Sequence, residues 1–438
     1  MEFGVTASQP AFPALVRTFA RIGCVSFGGP AGQIALMHRE LVEERGWISE
    51  DQYLHALNFC HLLPGPEAQQ LATWIGWKLH GWRGGLAAGL LFVIPGAVVI
   101  LALSMLYAMA AQLDWFAALF LGIKAAVLAV VVQALLRIAG RALDTRFKQG
   151  LAFAAFAGLT LLALPFPLVV LGAGALGFAA AALRPDWLAL KLATDPAPLP
   201  PRPWAASLRA VLVWGAVWVA PLVLVLVTLG RDHVLWQIGV FFSQLAVVTF
   251  GGAYAVLAYM AQEAVGTLGW LSTGEMADGL GLAETTPGPL ILVTQFVGYL
   301  AAFRAPEPFS PLVAGLLGAV LTTWVTFAPC FLWIFTFAPW IERLERAVRL
   351  KGALAAVTAA VVGVIASLAL WFAGHLLFRQ FDSGAPADLP FDLPVWASFD
   401  WRAALLAAVS AVLLLRLKWG VLPVLAAAAS GGLVLAQF

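Results

Sequence analysis

Along this chain, polar positions are sparse and long apolar stretches dominate. Long apolar runs extend over Leu86–Leu106, Trp115–Leu136, Val211–Leu229, Pro311–Phe337 and Ala353–Phe378. Each is near the roughly 20 residues that a helix needs to cross a bilayer. Other apolar stretches are broken in the middle by glycine and proline. The first broken element runs from about Phe12 to Met37, with Gly28-Gly29-Pro30 near its centre. After a polar loop, His38 to Asp51, the second runs from Tyr53 to Leu79 and is interrupted at Pro64-Gly65-Pro66. Proline removes a backbone donor and clashes with the preceding turn, so both helices are expected to break at these motifs.

The same pattern returns 223 residues later. Ser26-Phe27-Gly28-Gly29 recurs as Thr249-Phe250-Gly251-Gly252, and Pro64-Gly65-Pro66 as Pro287-Gly288-Pro289, preceded by Thr286. Between these landmarks Met37 matches Met260, Glu40 matches Glu263, Gly46-Trp47 match Gly269-Trp270 and Ser49 matches Ser272, without a gap. This is an internal duplication. It divides the chain into a first repeat, 1–183, a Pro-rich linker plus one span, 184–234, and a second repeat, 235–438. The first repeat holds the two broken elements, spans near 86–108 and 115–137, and an apolar hairpin, 151–183. The linker proper is 184–209, followed by the single span 211–229. The second repeat holds broken elements near 235–260 and 277–303, spans near 311–337 and 353–378, and a hairpin, 403–437.

Composition makes lipid the expected solvent. Of 438 residues, 62% are hydrophobic and 11% charged, against about 25% charged in soluble proteins. The 18 Trp fit interfacial aromatics. A net charge of +2 without a dense basic cluster argues against nucleic acid as a partner. Cys24, Cys60 and Cys330 are isolated, without metal or redox spacing. The His residues likewise lack metal spacing, and no cofactor is expected. Gly172-Ala173-Gly174-Ala175-Leu176-Gly177 matches a dinucleotide fingerprint, but it lies in an apolar hairpin without a βαβ unit and is set aside. The amino-terminal residues show no cleavable signal pattern.

Loop charges set orientation, because Lys and Arg collect on the cytoplasmic side. In the first repeat the basic loops are Lys78–Arg83 and Arg137–Lys148. In the second they are Arg343–Lys351 and the tip Arg416-Leu417-Lys418, while Gln380–Asp400 carries four Asp and neither Lys nor Arg. The pattern is reversed between the copies. The expected fold is therefore an all-α polytopic membrane protein with two homologous halves in inverted topology. Its helices are broken or re-entrant at the Gly-Gly and Pro-Gly-Pro motifs, as in many secondary transporters.

Breaks in hydrocarbon are tolerated against protein or a wet cavity. A helix restarting after a break presents free N–H groups and a partial positive charge, a seat for an oxyanion. The expected substrate-binding residues are Ser26, Gly28, Gly29, Pro30, Gln33, Pro64, Gly65, Pro66, Gln69, Gln70, Thr249, Gly251, Gly252, Thr286, Pro287, Gly288 and Pro289, with Thr285 and Gln295 as further donors. Arg17, Arg21, Glu67, Lys124 and Glu284 are ionisable groups within apolar stretches, and so candidates for anion attraction or ion coupling. Blander readings stand beside these. The glycines also fit close helix packing. Lys124 also fits snorkelling to an interface, and Arg17 and Arg21 a headgroup-facing turn. Glu40 and Glu263 fit structural ion pairs or caps better than substrate contact. His61 carries a weak case as a proton carrier.

At Ser26-Phe27-Gly28-Gly29-Pro30, Glu40, Trp47, Pro64-Gly65-Pro66 and their second-half counterparts, the sequence resembles the chromate ion transporter family in its long, two-domain form, over nearly its whole length. The resemblance implies export of chromate across the cytoplasmic (inner) membrane, conferring chromate resistance, driven by the membrane potential or an exchanged ion. The second half departs from the pattern. Ala253 replaces the proline, Leu290 stands in place of Glu67, and Val256 in place of Gln33. That weights the first half as the substrate side. Sulfate, also a tetrahedral dianion, is the competing substrate, and homodimer assembly stays open. A membrane-embedded enzyme would need a catalytic cluster, which the sequence lacks. A passive channel is a third reading, disfavoured by inverted repeats around a midplane site.

Reporter fusions at Leu164 and Leu417, the tips of the two hairpins, are expected on opposite sides of the membrane. The same side for both removes the inverted topology.

Overall fold

The structure, a computed structural model, describes residues 10–110, 113–190, 203–250, 253–382 and 393–437. Gly251, Gly252 and the Pro-rich stretch 195–201 lie outside the described residues. Helix dominates, with one ladder of two-residue strands, Phe381–Asp382 against Leu393–Pro394, in the long acidic loop of the second repeat.

The breaks fall where proline and glycine put them. Helix α1, Phe12–Val25, places Leu15, Phe19 and Ile22 on its buried side and stops at Ser26. Gly28 and Gly29 then take φ values of 88° and 67°, a region that glycine enters without penalty. Helix α2, Gly29–His38, starts there with proline in its first turn. A wider π turn, Arg39–Glu44, leads on to α3, Glu50–Cys60, which is capped reciprocally by Ser49 and Gln52. After Pro64-Gly65-Pro66 the chain restarts as α4, Glu67–Ala110. This run is two arms, because His80 and Gly81 leave helical geometry. A Cβ at Gly76 would overlap the Gly84 carbonyl, so the arms fold back against each other.

The rest of the first repeat is α5, Asp114–Ala142, then α6, Arg146–Leu161, and α7, Phe166–Leu183. Helix α8, Trp204–Leu229, carries exposed Leu212, Leu224 and Val227, an apolar exterior of the kind that lipid covers. The second repeat opens with α9, Val234–Val248, and α10, Ala253–Ala261. It continues through a π turn, Gln262–Thr267, to α11, Thr273–Thr285, and α12, Val293–Arg304. Then follow α13, Pro311–Phe337, α14, Ile341–Glu345, α15, Val348–Leu377, α16, Trp401–Ala411, and α17, Val421–Leu435. Among the described residues six runs are long and apolar enough to cross a membrane: Glu67–Ala110, Trp115–Ala142, Phe166–Leu183, Trp204–Leu229, Pro311–Leu344 and Val348–Leu377. The chain is an all-α polytopic membrane protein.

The duplication recurs in backbone detail. The π turns Arg39–Glu44 and Gln262–Thr267 occupy matching positions, and each is followed by a glycine at φ 60°, Gly46 and Gly269. Trp47 and Trp270 close these turns with N–H bonds to Leu41 and Ala264, at 2.9 and 2.8 Å. The Ser49–Gln52 cap has its counterpart in Ser272 and Glu275.

The chain packs as two compact units, each drawing on both repeats. One comprises Met1–Ser104, Ala193–Ala253 and Thr286–Arg346; the other comprises Met105–Leu192, Tyr254–Thr285 and Ala347–Phe438. The first unit has a core of Leu15, Phe19, Ile22, Tyr53, Phe59, Leu71, Ile75, Phe92 and Ile334. In it α12 and α13 cross at Gly298 and Gly318, where backbones touch. The second unit is built on similar small-residue crossings, Gly177 with Gly352 between α7 and α15, and Gly122 with Gly432 between α5 and α17. Such contacts replace the hydrophobic drive that lipid removes. At its edge Asp400 caps α16 through the Arg402 and Ala403 N–H groups and receives Arg379. Burial alone raises its pKa, but the Arg379 and backbone hydrogen bonds, with the guanidinium charge, outweigh it and hold the carboxyl below its usual value.

Gly318→Leu would drive a side chain into the Gly298 carbonyl. It is expected to cost about 1–3 kcal/mol or more and to lower the Tm of the purified protein, whereas Gly140→Ala, which meets no neighbour within 4 Å, should leave Tm unchanged.

Candidate functional site

The broken elements of the first compact unit meet in a reciprocal exchange. The Gly65 N–H donates to the Thr249 carbonyl at 2.8 Å, and the Gly288 N–H donates to the Ser26 carbonyl at 2.9 Å. Gly65 matches Gly288 under the duplication, and Ser26 matches Thr249. Each Pro-Gly-Pro break is thus tied to the Phe-Gly-Gly break of the other repeat. Gly65 and Gly288 have φ of 117° and 88°, which favours glycine at both. Gly288 also lies against Gly96 of α4, whose Cα is 3.3 Å from where a Gly288 Cβ would stand.

Three helical starts surround one small cavity beside this exchange. Its lining is Pro30 and Gln33 from the first turns of α2, Pro66, Glu67 and Ala68 at the start of α4, and Pro289, Leu290 and Ile291 in the 3-10 turn leading into α12. Its volume is about 10 Å³, room for one water-sized occupant. Gln33 binds across the repeats, its Nε2 donating to the Gly288 carbonyl at 2.5 Å. Gln70 reaches back to the Pro64 carbonyl at 2.6 Å, and Gln69 donates to Thr73 at 3.1 Å. Glu67 Oε1 lies 3.1 Å from His61 Nδ1. Ser26 is buried, and its Oγ receives no donor and finds no acceptor from the protein.

The threonine hydroxyls behave differently from expectation. Thr249 Oγ1 donates to Leu245 O and Thr285 Oγ1 to Leu282 O. In this conformation both protons stay on the residues' own helices, the usual resort of threonine in apolar surroundings. Gln295 is likewise engaged, donating to Ala97 O and accepting from Thr323. Pro64, Gly65, Pro66, Thr286, Pro287, Gly288 and Pro289 all belong to the same compact unit as Ser26, Gly28, Gly29 and Pro30.

The ionisable residues separate into pairs. Arg17 and Arg21 are exposed on α1. Arg21 approaches buried Glu40 at 3.5 Å, and Arg45 joins it at 3.3 Å, so Glu40 is the centre of an ion-pair cluster. Lys124 and Glu284 belong to the second unit. Lys124 Nζ lies 3.1 Å from Asp278 Oδ1, and the Tyr107 hydroxyl donates to Asp278 Oδ2 at 2.7 Å. Glu284 is buried and accepts from the Tyr254 hydroxyl at 2.9 Å. Asp278 and Tyr107 escaped the sequence reading, which named Lys124 alone of the three. Asp278 has His55 at the matching place in the first repeat, so the repeat comparison gave no sign of it. The available signal was a carboxylate inside the same broken element as Glu284.

Comparison with known proteins adds a family. The model of the family described as chromate transporter matches residues 13–178 and 236–433. A chromate transport protein of Pseudomonas aeruginosa is 34% identical over 364 residues, 81% of this chain and 79% of that protein. A chromate transport protein of Cupriavidus metallidurans is 28% identical over 94% of this chain and 90% of its own length. A probable chromate transport protein of Synechococcus elongatus is 29% identical over 80% of this chain and 82% of its own. No solved structure matches the chain.

Asp278→Asn would leave the Lys124 ammonium in apolar surroundings without its counter-charge. With side chains 21% and 10% exposed, the loss should fall toward the low end of the ~3–5 kcal/mol of broken buried pairs. A thermal double-mutant cycle should find Lys124→Met with Asp278→Leu more stable than Asp278→Asn alone.

Proposed function

Since this chain belongs to the chromate transporter family, we propose that it carries chromate across the cytoplasmic membrane, outward, by alternating access around the cavity at its broken helices. The observation that carries the site is the meeting of three helical starts, at Pro30, Glu67 and Leu290, around one cavity. Helix starts bring partial positive charge and free N–H groups to a place where a dianion sheds its water. Main-chain donors do this without a buried cation, whose desolvation in hydrocarbon is costly. Ser26 Oγ adds a side-chain donor.

The second repeat is read as the antiparallel counterpart of the first. Support comes from the reversed loop charges and from the reciprocal bonds Gly65–Thr249 and Gly288–Ser26, which a two-fold relation between repeats produces. In many secondary transporters such repeats rock about a fixed midplane site. With a volume of about 10 Å³, the cavity is closed to a four-oxygen anion in this conformation, so transport requires a second arrangement in which the helical starts draw apart.

Everted membrane vesicles containing the protein are expected to take up chromate above vesicles without it, with sulfate competing; uptake at the empty-vesicle level removes the reading. Gly288→Val forces a branched residue to φ 88° against Gly96. It should reduce uptake to that background while the protein still inserts, whereas retained uptake would mean that the break serves packing alone.

A further inference from the structure

The amide side chains at the breaks carry an electrostatic sense that an oxyanion does not use. Gln33, Gln69 and Gln70 are 1%, 0% and 0% exposed. The Gln33 and Gln70 nitrogens each donate to a backbone carbonyl, of Gly288 and Pro64. A carbonyl oxygen can only accept, so these contacts fix which end of each amide is nitrogen. The Oε1 atoms of Gln33 and Gln70 are therefore committed acceptors, and neither receives a donor from the protein; Gln69 Oε1 is in the same position. A buried acceptor left unpaired costs about 1–3 kcal/mol.

Gln33 is the one of the three that lines the small cavity, and Glu67 lines it too, as its single carboxylate. An ionised carboxylate and an amide oxygen repel an anion and attract a donor or a cation. A space of about 10 Å³ admits a single bare ion or one hydronium but no hydrated ion and no oxyanion. One carboxylate is too little for a divalent ion, which gathers six or more oxygens or retains several waters.

We propose that the Gln33–Glu67 cavity binds one small, hard monovalent cation, sodium or hydronium, next to the oxyanion path. The cation would stand on the amide and carboxylate oxygens, while the substrate uses the N–H groups of the helical starts. In broken-helix transporters the two polarities of an interrupted helix serve such a pair of ligands. Its role as the coupling ion rests on the transport reading above; its binding does not.

The test uses the purified full chain in nanodiscs, without chromate or sulfate. One arm replaces choline chloride by NaCl at constant ionic strength and pH. The other lowers pH in choline chloride alone. The expected result is a saturable rise in Tm of a few degrees in one arm, lost in Gln33→Leu and in Glu67→Gln. Gain with sodium assigns sodium. Gain with acid alone assigns hydronium, provided that it survives in His61→Gln, because among the described residues His61 and the Cys60 thiol are the titratable groups facing Glu67. No rise of wild-type Tm in either arm overturns the proposal, and so does a rise of wild-type size in both Gln33→Leu and Glu67→Gln, each checked for folding by its monodisperse elution. Because the readout excludes substrate, chromate uptake by vesicles with no cation response would remove this site and leave the transport reading intact.

Discussion

Interrupting a helix inside a bilayer frees backbone N–H and C=O groups where water cannot reach them, and the meeting of the two repeats follows from how those groups are satisfied. Here neither repeat completes its own breaks. Gly65 of the first repeat needs the Thr249 carbonyl of the second, and Gly288 needs Ser26. Each bond nets on the order of 1 kcal/mol when made and costs about 1–3 kcal/mol when a buried partner is left alone. The asymmetry ties the two breaks into one object. It also explains why the glycines are where they are: the donor must turn through positive φ to meet a carbonyl on another segment, a conformation that a side chain opposes.

Charge in the molecule follows the same economy of pairing. Glu40 is held by Arg21 and Arg45, Asp278 by Lys124 and Tyr107, and Glu284 by Tyr254. The cavity lining has a different character, with one carboxylate, Glu67, one amide, Gln33, and otherwise proline and aliphatic residues.

Much of this was legible in the chain itself. The duplication, the four breaks and the apolar spans are local patterns of proline, glycine and hydrophobic length, and the observed breaks lie at them: α1 stops at Ser26, α3 at Cys60, α11 at Thr285. The matching of Gly46 with Gly269 was visible, but the π turn Arg39–Glu44 lies in what the sequence reads as a polar loop, His38 to Asp51. What the sequence did not carry was partnership at long range. Gln33 reaches Gly288 and Lys124 reaches Asp278, whereas the reversal at Gly81 lies in the basic loop Lys78–Arg83 already read between the second broken element and the span near 86–108. The hydroxyls of Thr249 and Thr285 were expected to face a ligand, and each instead donates to its own helix, because a carbonyl three or four residues back is always within reach.

The bonds that close the breaks also bear on how they open. A tetrahedral dianion is several times the volume of the one-water space between α2, α4 and the start of α12, so admitting it means moving Gln33 away from Gly288 or parting one of the two reciprocal N–H bonds. These are a few links of about 1 kcal/mol net each, not a packed core. On the transport reading proposed above, an opening at the cost of a few kcal/mol would leave the open arrangement at roughly 0.1–10% of the population. On that reading, a ligand that supplies acceptors to the freed N–H groups would replace what the opening removes and so select the open form. Proline lines all three helical starts and offers no N–H of its own to be stranded there.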